Sequence, residues 1–301
     1  MTALLEVDHV SKQFNVGGPF GQKRLPAVDD VSFSIGVNCP EIFTVIGESG
    51  SGKTTLARMI LGLEHPSAGE VRFRGAPVSS RLSRAARLAF MASVQPVFQN
   101  PFEAFNPLKQ VDRYLASTAR RFLKLSAATD VDRAMDEALQ KVGLSLAEVK
   151  GRYPHEMSGG QLQRAAIARA LIPNPALLIT DEPVSMVDAS LRMSIVNLLQ
   201  SLRDDFGVSV IYITHDLATA YYVSDRLIIM QRGRVVEMGP ARTVLAAPEH
   251  PYSQLLKASV LSAEDAGAGR LDPITDRPPI PPGVPAGVLV ERPDGRMVRM
   301  A

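Results

Sequence analysis

The residues Gly47-Glu48-Ser49-Gly50-Ser51-Gly52-Lys53-Thr54-Thr55 follow the spacing G-x-x-x-x-G-K-S/T, which suits the cradling of a phosphate chain. Glycines let the backbone come close to phosphate oxygens where a Cβ would clash. Free N–H groups and the positive end of the following helix then face the anion. Lys53 can reach toward β- and γ-phosphates, and the Thr54 hydroxyl can ligate Mg2+. Two further clusters end apolar runs: Asp181-Glu182 and Thr214-His215-Asp216. Neighbouring side chains on a strand point opposite ways, so the two carboxylates cannot share one task. Asp181 is assigned to orienting the metal, and Glu182 to polarising a water that attacks the terminal phosphate. A general base of that kind contributes about 10²–10⁴-fold in rate. His215, at a strand end, is a candidate contact to the terminal phosphate. His9, His65, His155 and His250 have no comparable setting and are given no catalytic role.

These groups need rigid elements behind them. Ile42–Ile46 reads as a buried strand and Leu56–Leu61 as the opening of a helix, which gives the glycine-rich loop its strand–loop–helix setting. Before it, Leu4–Phe14 and Ala27–Ile35 alternate as strands, with residues 15–26, rich in Gly and Pro, expected as a loop. After it, 66–70 is expected as a turn and 71–75 as a short strand. Strands on both sides of the first helix suggest an antiparallel β layer added to a parallel α/β core. Arg81, Arg84 and Arg87 share a helix face that reads as solvated. Val94–Phe98 reads as a strand ending at Gln99, and residues 102 to about 150 are rich in helix formers. Ser158 with Gln161 matches a capping box ahead of a helical pattern over 162–171, which Pro173 and Pro175 stop. Apolar strands over 176–180 and 208–213 alternate with a helix over 191–203, and Gln231-Arg232-Gly233-Arg234 signals a hairpin. Beyond about residue 260 the chain turns polar and then Pro-rich, with a small hairpin expected around Asp294-Gly295.

The 301 residues carry a net charge of +2 and one cysteine, Cys39. That charge gives no electrostatic case for nucleic acid, and one cysteine excludes an internal disulfide framework and fits a reducing cytosol. No run approaches the ~18 apolar residues of a membrane span, so membrane association is expected through partners. Without an internal repeat, one nucleotide-binding domain is expected.

Taken together, the glycine-rich loop, Gln99, Met157-Ser158-Gly159-Gly160-Gln161 with Gln163-Arg164 behind it, Asp181-Glu182, Asp188 and His215 occur in an order that resembles the ATP-binding cassette (ABC) ATPases over about residues 4–260. The resemblance implies an α/β P-loop NTPase fold of ABC ATPase type: a RecA-like parallel-sheet core, an antiparallel β subdomain and a helical subdomain. The nucleotide-binding domain is expected over 1–260, with the helical insert at about 102–165 and a Pro-rich extension over 261–301. It also implies ATP and Mg2+ as cofactors, and a head-to-tail pair holding two ATP at its interface. One copy would supply the phosphate loop and the other Ser158, Gly159, Gly160 and Gln161, whose place at a helix N-terminus suits an anion. Gln99 would sense the metal and the attacking water, so the metal set is Thr54, Gln99 and Asp181. Asp188 would lie in the loop at the dimer interface, and Phe14 is the candidate for stacking on adenine.

A narrower likeness appears in Phe98–Pro107 and in Pro248–Leu256, which resemble the dipeptide and oligopeptide importer subfamily, whose substrates also include nickel complexes. This implies two transmembrane permease subunits, a second ATP-binding subunit that is identical or related, and an extracytoplasmic solute-binding protein acting indirectly. The chain would then sit at the cytoplasmic face of the inner membrane, held there by the permeases. The tail lacks the cysteine cluster of many relatives, so no iron–sulfur cluster is expected. Met157 stands where Leu is usual, Thr180 where Ala is common and Met186 where a small residue is commoner. The competing readings are an ABC-type accessory ATPase of an enzyme complex, such as one cleaving carbon–phosphorus bonds, and a nucleic-acid-linked ABC protein. The importer-like C-terminal segment of this chain argues against the first, and the second usually joins two cassettes or adds a long coiled coil, neither of which is present here.

Overall fold

The computed structural model describes residues 3–16, 23–78, 82–185, 187–267 and 287–300. The chain divides into two compact units, one formed by Met1–Val78 with Ile213–Ala301 and the other by Ser79–Tyr212. Met186 and the Pro-rich stretch over 273–285 lie outside the described residues, as does Arg81.

The first unit opens with β1 (Ala3–Val16), β2 (Lys23–Gly36), β3 (Ile42–Ile46), α1 (Lys53–Ile60), β4 (Ala68–Phe73) and β5 (Ala76–Pro77). Four of these strands form an antiparallel sheet in the order β2-β1-β4-β5. The antiparallel layer is as the alternation predicts, but its strands are longer. Asn15 and Val16 pair with Arg24 and Lys23, and Gln13 faces Pro26, so residues 15–16 and 23–26 are strand where a loop was expected. Pro26 is tolerated because β2 is an edge strand, where a missing N–H costs no ladder bond. The turn expected at 66–70 is likewise shorter: β4 begins at Ala68 and passes through Gly69 at φ 75°. A Cβ on Gly69 would stand 2.1 Å from the His9 carbonyl oxygen, and the β1–β4 register breaks between Asp8 and Ser11. That is a bulge that only glycine fills at this spacing.

The second unit carries α2 (Arg84–Ser93), β6 (Val94–Val97), α3 (Pro101–Ala104), α4 (Val111–Leu123), α5 (Ala128–Gln140), α6 (Leu146–Val149), α7 (Gly159–Leu171), β7 (Leu177–Asp181), α8 (Ala189–Asp204) and most of β8 (Ser209–Thr214). Arg84 and Arg87 are exposed on α2, as the solvated-face reading requires. β6 runs parallel to β7. α4 and α5 each bury one stripe: Val111, Leu115, Thr118 and Ala119, and Val131, Met135, Ala138 and Leu139. That i, i+3/i+4 spacing is the reason these segments are helices packed on one side. Arg169 of α7 donates to the Ala104 carbonyl at 3.0 Å, and its guanidinium lies over the Phe105 and Tyr114 rings. Burial lowers its pKa from the usual value, and the ring faces offset part of that desolvation.

The chain returns to the first unit through α9 (Leu217–Val223), β9 (Arg226–Gln231), β10 (Arg234–Pro240), α10 (Ala241–Ala246), α11 (Pro251–Gly267), β11 (Leu289–Glu291) and β12 (Met297–Arg299). β9 lies parallel to β3 and antiparallel to β10, and the hairpin around Arg232-Gly233 is present. The small hairpin around Asp294-Gly295 is also present, with β12 paired to the free edge of β10. Among the described residues no helix is long and apolar enough to cross a membrane.

Candidate functional site

In the first unit every residue of β3 is buried, which fixes where the 47–55 loop begins. Gly50 and Gly52 sit at φ 80° and 103°, in the region that favours glycine. A Cβ at Gly52 would lie 2.2 Å from the Ala27 carbonyl oxygen, and one at Gly47 would lie 2.3 Å from that of Met230. The glycines are therefore needed to let the loop lie against β2 and β9. The turn of the β9–β10 hairpin holds the loop from one side, where Gly233 N donates to Ser51 O at 2.9 Å. Lys53 opens α1 and is buried to 7 % exposure. Its Nζ donates to Gly47 O at 2.6 Å and Glu48 O at 2.8 Å. Ser51 Oγ is buried and has no hydrogen-bond partner among the described residues. A glycine-lined cradle, a helix N-terminus, a buried ammonium and an orphaned hydroxyl make a donor set suited to phosphate oxygens. Thr54 and Thr55 follow in the first turn of α1.

Two other candidates belong to this unit. Phe14 is half-buried on β1, opposite Leu25, with Lys12 Nζ 5.1 Å from its ring centre. His215 is exposed between β8 and α9. Asp216 caps α9, accepting from Ala218 N and Thr219 N, while Thr214 Oγ1 accepts from Asp216 N at 3.0 Å. The residues flanking His215 thus fix the backbone from which it projects.

In the second unit, Gln99 follows β6 and Glu182 follows β7, and the structure brings them together: Gln99 Nε2 donates to Glu182 Oε2 at 3.1 Å. Glu182 has φ 46°, a left-handed conformation at which the chain bends as it leaves the strand. A left-handed non-glycine residue costs about 1–3 kcal/mol, which the surrounding turn must hold. Ser185 supplies part of that hold, with its N and Oγ both donating to Glu182 O. Ser158 is the N-cap of α7, and the expected capping box is formed: Gln161 N donates to Ser158 Oγ at 3.2 Å, and Ser158 N to Gln161 Oε1 at 3.1 Å. Gly159 and Gly160 are the first residues of the helix, and a Cβ at Gly160 would meet Leu191 Cδ1 at 3.0 Å. Asp188 is the exposed N-cap position of α8. Met157 is buried, and Thr180 Oγ1 donates to Ile211 O at 3.3 Å, which accommodates both departures from the family pattern.

Two residues of the site region, each legible in the sequence only as part of a longer motif, are placed in ways the sequence did not signal. Tyr252 Oη accepts from Glu48 N at 2.9 Å, across 204 residues of chain. Gln163 is completely buried in α7, and neither Nε2 nor Oε1 finds a partner among the described residues. No spacing rule signals that contact or that burial.

A buried strand leading through such a loop into a helix, with an antiparallel β layer and a capped helix carrying Ser-Gly-Gly-Gln, defines a P-loop ATPase of the ABC type. The chain belongs to the ABC transporter family, whose pattern matches residues 28–185. It is similar to a probable peptide ABC transporter ATP-binding protein of Sinorhizobium fredii, at 36 % identity, covering 98 % of this chain and 89 % of that one. It is also similar to the oligopeptide transport ATP-binding protein OppF of Haemophilus influenzae, at 38 % identity over 85 % of this chain and 78 % of that one. Among solved structures, the dimeric post-hydrolysis state of the ATP-binding cassette MJ0796 bound to ADP and Pi matches with a TM-score of 0.69. That match has 26 % identity and covers 79 % of this chain and 99 % of that one. The protein is accordingly an ATPase whose hydrolysis of ATP is coupled to transport.

Proposed function

We propose that the chain energises an importer of dipeptides, oligopeptides or a related solute, working in a head-to-tail pair with two ATP at the interface. The observation that carries this reading is the extent of the likeness to a probable peptide ABC transporter ATP-binding protein, which spans 98 % of the chain and so runs well beyond the catalytic core. In this reading the backbone N–H groups of 47–55 and Lys53 hold the phosphates, and Phe14 stacks on adenine. Ser158, Gly159, Gly160 and Gln161 of the opposing subunit close on the terminal phosphate. Thr54, Asp181 and Gln99 would hold Mg2+, which when bound neutralises charge on the phosphate oxygens. Among the described residues no three His, Cys, Asp or Glu gather as a metal cage. That suits an ion bound through few protein ligands with phosphates and water completing its shell. Glu182 takes the proton of the attacking water, with Gln99 orienting its carboxylate, and His215 steadies the terminal phosphate. Asp188 lies in the loop facing the partner. Domain limits of 1–260 and 261–301, with a helical insert at about 102–165, accompany this assignment.

Two transmembrane permeases, a second ATP-binding subunit and, indirectly, a solute-binding protein are the proposed partners, which would hold the chain at the cytoplasmic face of the inner membrane. The test is mass spectrometry of the complex purified from membranes. Co-purification with two permease chains is expected. Recovery with a soluble enzyme complex and no permease would overturn the reading.

A further inference from the structure

The backbone of Glu48 is a node of the phosphate loop. Its carbonyl accepts from Ser51 N at 3.1 Å and from Lys53 Nζ at 2.8 Å, and its N–H donates to Tyr252 Oη at 2.9 Å. Tyr252 is only 2 % exposed, and its ring packs in an apolar cluster with Leu217, Ile229 and Ile46, the residue just before Gly47. Packing alone would be served as well by phenylalanine. The hydroxyl is what reaches the loop, and burial pushes its pKa up to about 12, so it stays protonated across the working range.

Tyr252 is itself fixed from the far end of the chain. Its N–H donates to His250 Nδ1 at 3.2 Å, and the N–H groups of Glu249 and His250 donate to the fully buried Glu237 carboxylate at 3.1 and 3.2 Å. From the β11–β12 hairpin, Arg296 reaches Glu249 at 3.0 Å, Glu237 at 3.8 Å and the Ala247 carbonyl. Arg292 meets Glu249 at 2.9 Å. The segment that delivers Tyr252 is thus clamped between a buried carboxylate and two guanidinium groups.

We propose that Tyr252 is a positioning residue for nucleotide binding: its hydroxyl braces the Glu48 peptide so that the loop keeps its shape when Lys53 exchanges the Gly47 and Glu48 carbonyls for phosphate oxygens. The C-terminal hairpin, through Arg296, sets how firmly that brace is held. The inference rests on the reading of 47–55 as the phosphate site.

The experiment uses the full chain, with equilibrium binding of a fluorescent MgATP analogue, steady-state phosphate release and thermal unfolding. Tyr252→Phe keeps the ring and removes the hydroxyl. Its dissociation constant and KM are expected to rise about 3- to 10-fold, the range for losing one neutral hydrogen bond. The kcat stays within about twofold of the parent. The melting temperature should move by no more than about 2 °C, since the ring still packs. Arg296→Met should shift affinity in the same direction. Unchanged affinity in Tyr252→Phe, or losses in kcat that only follow the melting temperature, would overturn the bracing role. Lys53→Ala in the same binding assay reads the site assignment separately. Retained binding there overturns both ideas, whereas lost binding there with an unchanged Tyr252→Phe overturns the brace alone.

Discussion

Replacing Glu182 by glutamine separates chemistry from binding at this site. Glutamine is nearly isosteric, and its Oε1 can still accept from Gln99 Nε2, which now donates to Glu182 Oε2 at 3.1 Å. The backbone at φ 46° and the two Ser185 bonds to the residue's carbonyl are independent of the side chain, so the turn after β7 should persist. What disappears is the basic oxygen proposed to accept the water's proton. The loss expected in kcat is about 10²–10⁴-fold, or about 3–5 kcal/mol in the barrier, while KM for MgATP stays within about threefold. The assay is phosphate release under steady-state and single-turnover conditions, with nucleotide affinity measured alongside. Glu182→Ala is the companion, since it also removes Gln99's acceptor and should disturb affinity as well. Turnover by Glu182→Gln within threefold of the parent would refute the base assignment. A loss confined to KM would show that the carboxylate merely binds.

Other outcomes follow from buried polar groups. Gln163 holds two buried polar atoms without partners among the described residues, and methionine has similar volume. Gln163→Met is therefore expected to stabilise by about 1–3 kcal/mol, seen as a higher urea midpoint at an unchanged slope; a lower midpoint contradicts the burial argument. His250 is held below its usual 6.5 first by burial and then by the Arg299 charge, and its Nδ1 must stay unprotonated to accept from Tyr252 N. A depressed folded-state pKa means the unfolded chain binds the proton more readily. The neutral ring's contribution is thus complete above about 6.5 and is lost as pH falls from there toward the folded value. His250→Gln should flatten the pH dependence of the melting temperature between about pH 7.5 and 5.5; an identical slope in the variant would exclude His250 as its source.

The elements that the sequence made legible are those held by near neighbours. The β3–loop–α1 unit depends on glycine φ angles and an apolar run, and the Ser158–Gln161 box closes over three residues. Where a distant partner decides, the reading failed or fell silent. Pro26 points to a loop, yet its pairing with Gln13 makes it strand, because β2 has a free edge on which proline costs little. The bulge at Gly69 exists because the His9 carbonyl stands against it, which no local pattern around 66–70 encodes. Asp181-Glu182 could be recognised as a pair, whereas the left-handed backbone of Glu182 could not. Tyr252 was visible only as part of a subfamily-like segment. Its bond to Glu48 requires the whole first unit to be folded.

The central claim is that two cassettes close on ATP and separate once its terminal phosphate is cut. Sedimentation velocity of the Glu182→Gln chain tests it most directly, run with MgATP, with MgADP and without nucleotide, alone and with any co-purifying related ATP-binding subunit. A dimer with MgATP that reverts to monomer with MgADP, and that Ser158→Arg abolishes, is the predicted result. A chain that remains monomeric with MgATP in every pairing, or that dimerises equally with MgADP, would contradict the account.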